Sequence, residues 1–100
     1  MIIYNVTIKV ERESAAEWVK WMQEEHMPEV IATGCFDASR LSHLLDQDEQ
    51  EGVTYVAQYF CDNIEQYHKY IDEHAMGLRE KGLKAFGAKF AAFRTVMEVL

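Results

Sequence analysis

The sequence is poor in the residues that staple or interrupt a chain: one proline, Pro28, five glycines and two cysteines in 100 residues. Cys35 and Cys61 fall in neither a C-x-x-C nor a Cys/His zinc spacing, so no structural zinc and no disulfide framework are expected, and both are read as thiols. Positive charge is also scarce. Ten Lys and Arg face seventeen Asp and Glu, for a net charge of −7. Phosphate recognition draws on basic faces, so nucleic acid is not an expected partner; an anionic membrane surface is disfavoured on the same ground. No apolar run approaches the ~20 residues of a membrane span. Met1-Ile2-Ile3-Tyr4-Asn5 has no basic leader, and Lys9 and Glu11 cut the apolar run too early for a signal peptide. The expected location is the cytoplasm.

What is present is apolar: 49% of the residues are hydrophobic, enough to oppose chain entropy and exclude disorder. The length suits a single domain over residues 1–100, able to bury roughly two-thirds of its surface.

Ile2, Tyr4, Val6, Ile8 and Val10 alternate with Asn5, Thr7 and Lys9, which predicts a first strand over 2–10. Ser14-Ala15-Ala16-Glu17 fits a capping box, and Ala15, Trp18, Met22 and His26 follow at helical spacing. Pro28 lacks an amide, so a kink or break is expected near it, and Gly34 suits a left-handed stop. A second strand is predicted over 36–45, with Leu41 and Leu45 on one face and Arg40 and Ser42 on the other. Asp46 to Gly52 reads as a polar turn, and Val53 to Cys61 as a strand rich in β-formers. A hairpin closed by that turn pairs residues whose numbers sum to about 97 and brings Cys35 near Cys61. Asp62-Asn63-Ile64-Glu65 is a second cap, ahead of a stripe of Ile64, Tyr67, Ile71, Ala75 and Leu78. Gly77, Gly82 and Gly87 argue for a main helix and then a looser helical return. Phe90 to Leu100 closes the chain as a strand with Phe93, Met97 and Val99 inward.

A weak repeat runs through this pattern. Adding 48 to Ser14, Glu17, Glu25, His26 and Gly34 reaches Asp62, Glu65, Glu73, His74 and Gly82. Two βαβ halves produce that order. With right-handed returns they give an α+β, ferredoxin-like βαββαβ fold, whose four-stranded antiparallel sheet has the first and third strands central. Both helices then cover one face. The other, open face is predicted to carry Asn5, Thr7, Arg40, Tyr55, Ala57, Tyr59, Arg94 and Val96. Such a face leaves an apolar patch in a monomer, and a homodimer is the natural way to bury it.

Three segments, Glu24 to Gly34, Tyr55 to Phe60 and Phe90 to Val99, resemble a bacterial family of short domains of unknown function, and the likeness spans essentially the whole chain. That family is similar in turn to the dimeric α/β-barrel superfamily, where two ferredoxin-like protomers close their sheets around a cavity. The superfamily includes cofactor-independent monooxygenases, muconolactone isomerases, haem-degrading enzymes and stress-responsive proteins. The resemblance implies an architecture rather than a reaction. No catalytic motif of its characterised members falls on this sequence, so none is carried over.

The candidate chemistry is therefore read from single residues. His26, beside Glu24 and Glu25 and ahead of Pro28, is a candidate proton acceptor. Its structural alternative is a half-buried histidine bonded to a carbonyl that Pro28 frees, and His74 at the matching place in the repeat favours that alternative. Arg94 is the other catalytic candidate, as a stabiliser of developing negative charge. Asn5, Arg40, Tyr55, Tyr59 and Arg94 are the ligand-binding candidates. The two arginines could fork onto a carboxylate or phenolate, or pair with Glu98 or with an acid of the second copy. The tyrosines could stack on a ligand or pack at the dimer contact. Trp18 and Trp21 read as packing residues. No H-x-x-x-H or EF-hand spacing occurs, so no metal and no cofactor are assigned. The leading expectation is a homodimer that binds a small molecule or a protein without chemistry of its own. A small cofactor-independent monooxygenase or isomerase, acting on an aromatic or enolic substrate, is the alternative, and a purely structural dimer is the third reading.

Overall fold

Alternation in the first strand sets the architecture, because Ile2, Tyr4, Ile8 and Val10 are buried on one side while Asn5, Thr7 and Lys9 turn to the other. The computed structural model describes all residues from Met1 to Leu100. Strand β1 (Ile2–Val10) leads to helix α1 (Ala15–Trp21), which runs through a π turn at Met22–His26 into α2 (Met27–Ala32). Strands β2 (Ala38–His43) and β3 (Val53–Cys61) follow, then α3 (Ile64–Tyr70), a second π turn at Ile71–Ala75, α4 (Met76–Phe86) and β4 (Phe90–Glu98). The strands are antiparallel in the order β2-β3-β1-β4. This is the expected ferredoxin-like βαββαβ sheet with β1 and β3 central. The core lies between the sheet and the helices: Trp18, Met22, Val30, Tyr70, Leu78 and Phe86 pack onto the buried side of β1 and β3.

Three helix features differ from the expectations. Pro28 does not break its helix. Met27 N–H bonds Met22 C=O across the π turn, and Pro28 falls in the first turn of α2, where its missing amide is not required. The second long helix has a π turn without any proline, so the wide turn belongs to the repeated half rather than to Pro28. The glycines also do not loosen the second helix, which stays helical from Ile64 to Phe86. Gly34 (φ +78°) and Gly87 (φ +55°) are the two left-handed glycines. Gly82 lies buried inside α4, where a Cβ would meet the Trp21 ring at 3.4 Å. Ser14 makes no side-chain cap bond. Asn63, one residue later than expected, caps α3 by accepting from Gln66 N–H at 3.1 Å, while Gln66 Oε1 accepts from Asp62 N–H at 3.2 Å. Asn63→Ala should cost about 1 kcal/mol in urea unfolding; an unchanged midpoint would show that the cap contributes nothing.

The repeat itself shifts by one residue. Ala15 and Ile64 start the helices and Met22 and Ile71 start the π turns, 49 residues apart in each case. The structural counterpart of His26 is therefore buried Ala75, and His74 matches Glu25.

Two strand faces are corrected. Ala38 lies opposite Phe60 and Arg40 opposite Gln58, so paired numbers sum to 98. That one-residue difference exchanges the two faces of a strand. Tyr55, Ala57 and Tyr59 consequently face the helices with Leu41. On β4, Arg94 and Val96 pair with Val6 and Tyr4 on the helix side, whereas Phe93 and Met97 pair with Thr7 and Ile3 on the open side. Strand β2 ends at His43, leaving Leu45 exposed. Cys35 and Cys61 are both buried free thiols.

Candidate functional site

A cavity opens between the sheet and the helix layer. Its floor is Tyr4, Val6 and Ile8 of β1, Ala57 and Tyr59 of β3, and Phe90, Ala92 and Arg94 of β4. Its roof is Trp18, Trp21, Met22 and His26 from the first long helix and Tyr70, Leu78, Arg79 and Gly82 from the second. The lack of a side chain at Gly82 leaves room for the Trp21 ring beside it. The space open to the centres of water-sized spheres is about 60 Å³. That is well under the roughly 150 Å³ of an engineered cavity that takes one benzene ring.

His26 reaches this cavity because of the π turn. Residues five apart lie about 140° apart around an α-helix, yet the Trp21 and His26 rings stack at 4.8 Å and 23°. The i to i+5 closure of a π turn brings them to one side. Burial is the main reason the His26 pKa falls from 6.5 to about 4; Glu29 opposes the fall, and Arg94 and Lys81 add to it. The imidazole is thus neutral at pH 7, and its Nδ1 is buried without a hydrogen-bond partner. The carbonyl bond expected of a structural histidine is not made at this nitrogen.

Two guanidiniums border the same space. Arg79 Nη2 donates to the Tyr4 hydroxyl at 3.1 Å, but its Nε is buried and unpartnered. The ion pairs of the chain are His43–Glu49 at 2.7 Å and Lys81–Glu29 at 2.9 Å, so neither Arg79 nor Arg94 has a carboxylate within reach. Burial, followed by the neighbouring Tyr70 and Tyr4, pushes the Tyr59 pKa up, and burial with Tyr4 does the same at Tyr70. Both hydroxyls stay protonated and can donate.

Of the residues singled out from the sequence, His26, Tyr59 and Arg94 meet at this cavity, on the helix side rather than on the open face. Tyr55 stacks on Trp18 at 5.2 Å, outside the cavity lining. Asn5 and Arg40 do lie on the open face. There Arg40 Nη2 donates to Gln58 Oε1 at 2.8 Å, Gln58 Nε2 to Asn5 Oδ1 at 3.2 Å, and Asn5 Nδ2 to Thr7 Oγ1 at 3.3 Å. Gln58 and Arg79 were missed. Arg79 had a signal, since it sits four residues after Ala75 and beside Leu78, a charge placed on an apolar stripe.

The open face carries no carboxylate. Its positions are Ile3, Asn5, Thr7 and Lys9 on β1; Thr54, Val56, Gln58 and Phe60 on β3; Ala38, Arg40 and Ser42 on β2; and Ala91, Phe93, Thr95 and Met97 on β4. No three His, Cys, Asp or Glu side chains group so as to hold a metal ion, and no helix is long and apolar enough to cross a membrane.

Solved structures share this fold. An ethyl tert-butyl ether d (ethd) family protein from Bacillus halodurans is 10% identical, with a TM-score of 0.67 over 100% of both chains. SnoaB, a cofactor-independent oxygenase from Streptomyces nogalater, is 11% identical at TM-score 0.64, covering 98% of this chain and 92% of its own. A dimeric ferredoxin-like protein from an uncultured marine organism is 23% identical at TM-score 0.60, covering 100% of this chain and 95% of its own. At these identities the likeness is one of fold. No curated protein matches the chain by sequence. The family model that matches spans residues 1–100 and describes a domain of unknown function.

Proposed function

The chain belongs to this family, Domain of unknown function (DUF4286), and because that description names no reaction, we propose a function from the cavity: a homodimer that binds a small anionic molecule between the helices and sheet of each copy. One observation carries the reading. Arg79 and Arg94 border a largely apolar cavity with no carboxylate partner, in a chain with seven more acids than bases. Arg94 stays exposed at the cavity's edge, whereas Arg79 is half-buried with its Nε unpartnered; an unpaired buried donor is costly, and an anionic ligand would bring a counter-charge in the forked geometry arginine favours. Trp18, Trp21 and Phe90 suit a flat apolar body.

Pairing of two copies is supported by the open face, where Ile3, Val56, Phe60, Phe93 and Met97 lie among polar groups that include Lys9 and Arg40 but no acid. Two acidic chains meeting there bring no carboxylates together, and acids are depleted at interfaces. The two buried thiols accord with a reducing, cytoplasmic setting.

Benzoate is the probe. Calorimetry should show it binding the wild-type protein, with Arg94→Leu weakening it at least tenfold, as the loss of a hydrogen bond to a charged group of about 1.5–3 kcal/mol implies. Equal affinities, or no heat with wild type, would remove the anion-binding reading. A second reading is enzymatic, a cofactor-independent oxygenase or isomerase. It is supported by the meeting of neutral His26 and Arg94 on one cavity, where one could accept a proton and the other stabilise the negative charge left behind. A purely structural dimer has less support, since it gives no reason for unpaired guanidiniums beside an open space.

A further inference from the structure

The backbone bonds at the two ends of β4 show which of its groups are free. Val99 N–H donates to Met1 C=O at 2.9 Å and Glu11 N–H to Lys89 C=O at 2.8 Å, in the register that sets Ile2 opposite Glu98. Bonded and non-bonded positions alternate along an antiparallel pair. The odd-numbered residues of β4 therefore bond β1, while Ala92, Arg94, Val96 and Glu98 turn N–H and C=O outward at the sheet edge. Proteins blunt such edges with proline, bulges, short strands or a covering element. Strand β4 has none of these. It runs nine residues in unbroken register without proline, and it is exposed on both faces from Phe93 to Glu98. Phe93, Val96, Met97, Val99 and Leu100 are half of the large hydrophobics that the chain exposes.

Resting on the pairing of copies proposed above, we infer that β4 is the seam of the dimer, adding antiparallel to β4 of the second copy about a two-fold axis at Val96. Charge complementarity selects both the occupant and the register. The only charged residues of β4 are Arg94 and Glu98, and both belong to the outward-bonding set. Among pairings of that set, only the one centred on Val96 places Arg94 directly opposite Glu98 of the second copy, and the two-fold makes the contact twice. Centring on Arg94 or on Glu98 opposes like charges. The other edge, β2, offers Arg94 no acid: Leu44 N–H donates to Thr54 C=O, so its outward residues are Ser39, Leu41 and His43. With the axis at Val96 the two strands exchange backbone hydrogen bonds at 94, 96 and 98. Phe93 and Met97 flank the seam on the open side, so it continues the contact between the sheets. Arginine carries five donors in a fork, so an edge turned to Glu98 leaves donors for the cavity that Arg94 borders.

Sedimentation equilibrium on the full chain tests the seam. Arg94→Glu and Glu98→Arg should each raise the dimer dissociation constant roughly tenfold or more, since either change alters both symmetric pairs. The double exchange should return it to within about threefold of wild type. Net charge alone gives a different pattern, because the first substitution makes the chain more acidic and the second less. Single variants that shift in opposite directions or not at all, or a double exchange that restores nothing, would overturn the seam and leave the open-face contact standing. A wild type that stays monomeric at every concentration would instead remove the pairing beneath it. Amide exchange on the wild type needs no variant. The N–H groups of Arg94, Val96 and Glu98 should be protected in the dimer and exchange freely on dilution to monomer; free exchange in the dimer would equally exclude the seam.

Discussion

A protein carrying Phe93→Asp and Met97→Asp should sediment as a monomer, where the wild type should sediment at twice the chain mass. Both side chains are on the open side of β4, 64% and 41% exposed in a single copy, so neither supports the core and far-UV circular dichroism should be unchanged. In a face-to-face pair each would be covered by the second sheet. The substitutions would then place four carboxylates in one contact, each losing water without gaining a partner, at several kcal/mol per buried charge. The open face holds no other acid, so the change removes the feature that lets two chains of net charge −7 approach. A variant that still sediments as a dimer would place the contact elsewhere, and the edge of β4 would be the next surface to examine.

The second large effect is expected in acid. His26 titrates near 6.5 when unfolded and at about 4 in the fold, mainly because burial disfavours its cation. As pH falls through 6.5 the unfolded chain takes up a proton that the native state refuses. Stability contributed by this group is therefore full above 6.5, declines between 6.5 and 4, and is level below. At 1.36 kcal/mol per pKa unit the loss is roughly 3 kcal/mol. Urea unfolding at pH 7.5 and pH 4.5 should show His26→Phe losing that much less than wild type across the same interval, with the carboxylates common to both. Parallel losses would mean that the ring is as well solvated in the fold as outside it.

Much of the architecture could be read directly. The strict alternation of Ile2 to Val10, the polar turn before Val53 and the left-handed Gly34 each have one physical solution, and together they specify the two-half sheet. The faces of β3 and β4 were harder for a definite reason. Val53 to Cys61 and Phe90 to Glu98 carry apolar residues at both parities, Tyr59 against Phe60 and Phe90 against Phe93, so a period of two cannot choose a side. This double apolarity accords with the pairing proposed for the open face. An odd pairing sum set Arg40 against Ala57, an even one sets it against Gln58, and with that step Tyr55 and Tyr59 passed to the helix side. Arg94 was placed on the wrong face for the same reason: it lies on the helix side of the edge strand, bordering the cavity while still exposed. The site was only half legible: His26 and Arg94 were singled out, but the Glu-His repeat pointed to a shared structural role that the 49-residue spacing removes. Gly82 read as a helix breaker, since close packing against the Trp21 ring leaves no local signature.

The wide turn at Met22–His26 makes backbone length a determinant of the site's chemistry. Wound as an ordinary α-helix of the same length, this stretch would set Trp21 and His26 about 140° apart and part indole from imidazole, although neither had been substituted. A helix shorter by one residue between them would instead make them an i, i+4 pair about 40° apart, so either the wide turn or a one-residue deletion keeps both rings on the same wall.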